Sequence, residues 1–237
     1  MKTIISLINP APLCPAEQVK PSVILLLAAF LPTVHKYFGS MEFAGQYLGL
    51  PDSSCTSVYM FITAGILMGI FPALVIRYGF HESFSDYGWR WGNWKAGLAL
   101  VIVLFPLIAL GLLLPSSQTN EMQSFYPFNK LAAHSAPQFL VFQWWRGIFF
   151  YPAWEFFFRG FILFGLRRYV GDWLAICIQT VPSCLWHIGM PSGEIFASIA
   201  GGILFGLMAV RTASIVWPFL LHYLIGIGLD FFIVITS

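Results

Sequence analysis

The sequence predicts an all-α fold, a polytopic transmembrane helical bundle of about seven spans. Composition is the first reason: of 237 residues, 58% are hydrophobic and 9% are charged, where soluble domains carry about 25% charged residues. The second is segmentation, because apolar stretches near the ~20 residues that cross a bilayer recur along the chain. The third is the placement of lysine and arginine, which is biased between alternate linkers.

The predicted spans are 21–38, 57–76, 96–114, 137–166, 172–187, 194–210 and 214–236. The fourth is too long for one straight crossing and contains Pro152. Proline removes a helix hydrogen bond, so a kink or break is expected there. Arg146, beside Trp144 and Trp145, is expected at the outer interface, where aromatic rings prefer to sit. The polar, tryptophan-rich linker 81–95 suits the inner interface. Linker 116–136, with Tyr126-Pro127, is expected to cover the outer surface as a lid or a plain loop. The apolar run 1–9 stops at Pro10 and Pro12; it is too short for a signal peptide, so the N-terminus is expected to be retained without an eighth span.

With seven spans and the N-terminus inside, the inner segments hold Lys2, Lys20, Arg77, Arg90, Lys95, Arg167, Arg168 and Arg211, and the outer ones Lys36 and Lys130. The bias predicts N-inside, C-outside. A formal net charge of +2 leaves no basic face for phosphates, so nucleic acid is not an expected partner; the lipid bilayer is. Cys14, Cys55, Cys177 and Cys184 form no C-x-x-C pair and no disulfide framework. Residues 1–237 read as one integral membrane domain, with 21–114 as scaffold and 137–236 as the part that carries chemistry.

That division rests on ionisable residues, which are rare in hydrocarbon and point to function when they occur. Glu155 and Arg159 stand four residues apart, on one helix face with the acid first; a purely structural ion pair is the competing reading. His187 closes the fifth span before Gly189 and Pro191, and could simply bond a backbone carbonyl at a helix end. Cys184, three residues earlier, offers a metal pair only by a spacing that chance supplies often. Glu194 opens the sixth span, where an acid complements the helix dipole. Ala197, Ala200, Gly201, Gly202 and Gly206 make a small-residue face that another helix approaches closely, and the helix bearing Glu155 is the expected partner. His222 sits inside the last span with Asp230 eight residues on; Asp230 is expected to bond a neighbouring helix or Arg159. At 1.5 Å per residue, Glu155 and His222 lie about 18 and about 16 Å from their inner arginines, whereas His187 lies about 28 Å from Arg168. Straight helices therefore bring the first two together and leave His187 apart.

In order, Glu155-x-x-x-Arg159-Gly160-Phe161, His187, a glycine-rich helix, Arg211-Thr212-x-Ser214-Ile215-x-Trp217 and His222 resemble the CPBP family, the CAAX-protease and bacteriocin-processing (Abi) intramembrane endopeptidases. The resemblance covers roughly 138–230. It implies a glutamate that activates water inside the bilayer, histidines that support it, and peptide hydrolysis without a covalent enzyme intermediate. The chain departs from the family twice: Trp154 stands where the first of two adjacent glutamates is usual, and Gly226 where an asparagine usually follows the last histidine. A bacterial branch reading Glu-Phe-Phe-x-Arg-Gly, His-x-Gly-x-Pro-x-x-Glu and His with a later Asp is closer, and there Glu194 and Asp230 stand in for the missing groups. A bacterial cytoplasmic membrane is the expected location.

The resemblance thus implies an intramembrane glutamate-type endopeptidase, with Glu155 as general base, His187 relaying the proton, His222 stabilising the oxyanion and Arg159 holding Glu155. No cofactor is expected. Two alternatives stay open: a non-catalytic immunity, scaffolding or small-molecule-binding protein of the same fold, favoured by Trp154, and a metal-dependent protease using Glu155, His187 and His222, with zinc the natural ion. The peptide or protein substrate is not legible.

Overall fold

The structure, a computed structural model, describes residues 15–236; the expectations for Lys2, for Cys14 and for the run 1–9 lie outside them. Among the described residues there is no strand. The helices are α1 (Ala16–Phe38), α2 (Met41–Tyr47), α3 (Ser53–Gly79), α4 (Trp94–Ser117), α5 (Asn120–Phe125), α6 (Ala136–Val170), α7 (Asp172–Trp186), α8 (Ser192–Thr212) and α9 (Val216–Thr236). Six of them are long and apolar enough to cross a membrane. With the shorter α7, which has 15 residues, they match the seven predicted spans. The protein is an integral membrane protein.

Polar side chains set the boundaries. Asp52 accepts from the Cys55 amide and opens α3, and Asn93 accepts from the Ala96 amide and opens α4, supplying acceptors that the first turn of a helix lacks. Gly171, at φ +80°, reverses the chain between α6 and α7 in a conformation that glycine adopts without strain.

Helix α6 is the central post. Its most apolar window is 78% buried, against 22–39% for the other long helices. The outer helices turn apolar side chains outward, as Ile102, Leu107 and Leu110 of α4 do, which suits contact with lipid. Pro152 does not break α6. π-helical turns at Arg146–Phe150 and Phe156–Phe164 flank it, and such widened turns absorb a missing hydrogen bond within a continuous helix.

Two expectations are corrected. Arg146 does not stay at the surface beside Trp144: it is buried, and its guanidinium donates to Asp230 Oδ2 at 2.7 Å. Of the two partners expected for Asp230, the neighbouring helix holds: it bonds Arg146 and Gln143 Nε2 (2.6 Å), both of α6, and not Arg159. The small-residue face of α8 receives α7, not α6. A Cβ on Gly202 would stand 2.6 Å from Thr180, and Gln179 Nε2 donates to the Gly202 carbonyl at 2.8 Å. A buried side-chain donor beside a glycine selects this neighbour, because it satisfies a backbone acceptor that the close approach exposes.

Polar side chains of the scaffold help tie it to the second half. At one end, Glu82 pairs with Lys20 and with Arg168 and accepts from the Tyr87 hydroxyl. At the other, buried His35 bonds the Met60 carbonyl and accepts from Trp186 Nε1 at 3.2 Å.

Candidate active site

Glu155 lies mid-way along α6 with no exposed surface. Its Oε1 accepts from His222 Nδ1 of α9 at 2.7 Å and from Arg159 at 3.2 Å. The i,i+4 spacing that aligned acid and base in the sequence therefore forms, and a histidine from a distant helix joins it. Glu155 Oε2 is buried and without a hydrogen bond. With the proton on Nδ1 held by a carboxylate, His222 presents Nε2 away from Glu155. Phe205 and Tyr151 pack against the ring, at centroid distances of 5.0 and 4.7 Å.

His187 caps the end of α7. Its Nδ1 bonds the Ser183 carbonyl at 2.7 Å, which fixes the tautomer and leaves Nε2 to face Glu194, 4.0 Å from Oε1. That gap is longer than a hydrogen bond. Both Glu194 oxygens accept from the Tyr126 hydroxyl, at 2.7 and 2.8 Å. Burial and the adjacent Glu194 charge hold the Tyr126 phenol well above its ordinary range, so it remains a donor.

These groups meet. His187, Glu194 and His222 line one cavity of about 70 Å³, together with Tyr126, Arg146, Tyr151, Trp154 and Gly226, enough room for one or two waters beside polar partners. Glu155 is not on its wall and reaches it through His222. Asp230 stands behind Arg146. A cleft of about 500 Å³ shares Trp154, His187, Glu194, His222 and Ile225 with the cavity and runs between α4 and α8, past Arg159 and the small side chains Ala197, Ala200 and Gly201. The depth mismatch expected for His187 does not hold, because α7 is short and contains Pro182.

Trp154 is buried where the usual first glutamate would be. Its ring lies 5.5 Å from that of His187 and 6.4 Å from that of His222. The linker 118–135 is a cover: Tyr126 and Phe128 are buried over the cavity, and Glu121 accepts from the Ser192 amide and hydroxyl at the start of α8. Tyr126, Tyr151 and Arg146 were not singled out as site residues by sequence. Only the expectation of a lid over 116–136 pointed toward the first.

A catalytic zinc site typically draws three protein donors to one point. Among the described residues no group of three or more His, Cys, Asp or Glu is so placed, and the Nδ1 atoms of both histidines are already bonded.

Fold and site together define an integral membrane helical protein with a buried carboxylate–arginine–histidine cluster beside a small polar cavity. Residues 136–227 match the family model described as type II CAAX prenyl endopeptidase Rce1-like, a model of the CPBP, or Abi, family. The match takes in α6 to the middle of α9 and leaves out α1–α5. No curated protein and no solved structure matches.

Proposed function

We propose that this protein is an intramembrane endopeptidase of the CAAX-protease type, hydrolysing a peptide bond with water held in the cavity between His187, Glu194 and His222. The observation that carries this reading is the convergence of those three side chains, from three helices, on one water-sized space inside a membrane bundle.

In the mechanism we derive, Glu194 replaces the carboxylate whose usual place Trp154 occupies. His187 Nε2 and Glu194 face each other across the cavity. A water there loses its proton to this pair as its oxygen attacks the carbonyl carbon, a general-base step. The carbonyl π electrons move to oxygen, and His222 donates Nε2–H to the oxyanion while its Nδ1 shares a proton with Glu155. The pair then returns the proton to the leaving nitrogen as the C–N bond breaks. Glu155 thus acts through His222, and Arg159 neutralises the buried carboxylate. The cleft between α4 and α8 gives a membrane-embedded peptide lateral access.

The test is hydrolysis of quenched-fluorescent peptides, with and without a prenylated cysteine, by the purified protein in proteoliposomes. Cleavage lost in both Glu194→Gln and His222→Ala, with folded protein recovered, supports the reading. Full activity in either variant removes the residue's role. No cleavage by the unaltered protein across both peptide sets favours the non-catalytic alternative, in which Trp154 fills the site. Loss of activity with a chelator, restored by added zinc, would revive the metal-dependent one.

A further inference from the structure

Gly226 stands where the family has an asparagine after its last histidine, and the structure shows what occupies that space. A Cβ on Gly226 would lie 1.7 Å from the Tyr151 hydroxyl and 2.7 Å from the ring carbon that bears it. Any larger residue at 226 is excluded by the tyrosine. The phenol of α6 thus comes to the place that a residue-226 side chain would fill on α9.

Four further facts define this hydroxyl. Tyr151 is buried yet lines the cavity shared by His187, Glu194 and His222. Its ring packs edge-on to His222 at 4.7 Å. The Arg146 guanidinium stands 5.0 Å from the ring centre, so positive charge lies behind this wall, anchored by Asp230. Among the described residues, no hydrogen-bond partner of the Tyr151 hydroxyl is found, whereas the neighbouring Tyr126 and Tyr223 hydroxyls are both engaged. A phenol beside a cavity, with its O–H uncommitted, is a donor awaiting an acceptor.

We propose that Tyr151 is a catalytic residue: its hydroxyl is the second oxyanion donor, paired with His222, in place of the family's asparagine. The inference rests on the endopeptidase reading. As water oxygen bonds to the carbonyl carbon, the C=O π electrons become an oxygen lone pair, and the Tyr151 O–H donates to that oxygen without giving up its proton. The bond shortens as charge builds and relaxes when the C–N bond breaks. A donor on a buried ring held against His222, Tyr223 and Arg146 needs little reorganisation at that moment, which is the condition for a large contribution to kcat.

The experiment compares the unaltered protein with Tyr151→Phe in proteoliposomes, on a quenched-fluorescent peptide that the unaltered protein cleaves. Loss of one oxyanion donor lowers kcat about 10²-fold or more with KM changed less than about threefold, and the variant elutes as folded protein. Full kcat in Tyr151→Phe, with Glu194→Gln inactive, overturns the assignment and leaves the endopeptidase standing. A spatial swap gives the second reading. Tyr151→Ala/Gly226→Asn regains at least about tenfold of the turnover lost in Tyr151→Ala, because the amide enters the vacated space; no gain overturns the proposal. An unaltered protein that cleaves no peptide overturns both readings together.

Discussion

Two buried acids, both on or against α6, make contrasting use of the same parts. Glu155 takes Arg159 and a histidine; Asp230 takes Arg146 and a glutamine. Each leaves one carboxylate oxygen without a hydrogen bond, and each pairs with a guanidinium that has almost no exposure. The third member is what differs. Gln143 cannot change its charge, so the Asp230 cluster joins α6 to α9 and fixes Arg146 at the cavity wall. His222 can, and its ring lines the cavity. A buried ion pair is weak testimony to function by itself; the titratable neighbour turned toward a cavity is what separates the two.

The sharpest break of that comparison is Glu155→Gln. It keeps an acceptor for Arg159 but removes the carboxylate that shares the Nδ1 proton of His222, so turnover falls about 10³-fold, the size expected when oxyanion stabilisation is lost. Initial rates in proteoliposomes measure it. Asp230→Asn is the counterpart: leaving Arg146 buried without its counter-charge costs about 3–5 kcal/mol, read as a lowered thermal midpoint in detergent, while kcat per folded molecule stays within about tenfold. Equal catalytic loss in both variants would erase the distinction. Between them in kind is Gly202→Val, whose side chain meets Thr180. Overpacking there costs about 1–3 kcal/mol, seen in the same melting experiment.

The smallest effect lies at the far end of the bundle. Burial alone would raise Glu82, but its bonds to Lys20 and Tyr87 and the charges of Lys20 and Arg168 hold its carboxyl below the ordinary value of 4.5. A lowered folded pKa means that the stabilisation is complete above about pH 4.5 and is lost as pH falls through the lower folded value. Glu82→Gln therefore lowers the midpoint at pH 7 by the equivalent of about 1 kcal/mol, and the difference from the unaltered protein shrinks in acid.

Hydropathy made the spans legible, since an apolar run long enough to cross a membrane leaves the backbone no choice but helix. Ionisable residues in those runs were legible for the same reason: Glu155, Arg159, His187, Glu194 and His222 are conspicuous because hydrocarbon makes them costly. Partnership was not. Arg146 and Asp230 are 84 residues apart in sequence, and nothing local told Arg146 to turn inward rather than stay with the tryptophans. Tyrosines in a chain with nine tyrosines and 24 phenylalanines carry no signal of rarity. Tyr126 and Tyr151 became visible only when the fold brought one against Glu194 and the other against Gly226.

The brevity of α7 has a consequence for the surrounding lipid. Fifteen residues rise about 22 Å, short of a hydrocarbon layer about 30 Å thick. Thinning is one way a bilayer accommodates such a helix, at a cost of fractions of a kcal/mol for each ångström of mismatch. His187 is the residue at the end of that short helix. On the endopeptidase reading proposed above, thinning there draws headgroup water toward the cavity, and membrane thickness becomes a control on hydrolysis: longer acyl chains in the proteoliposome are expected to slow it.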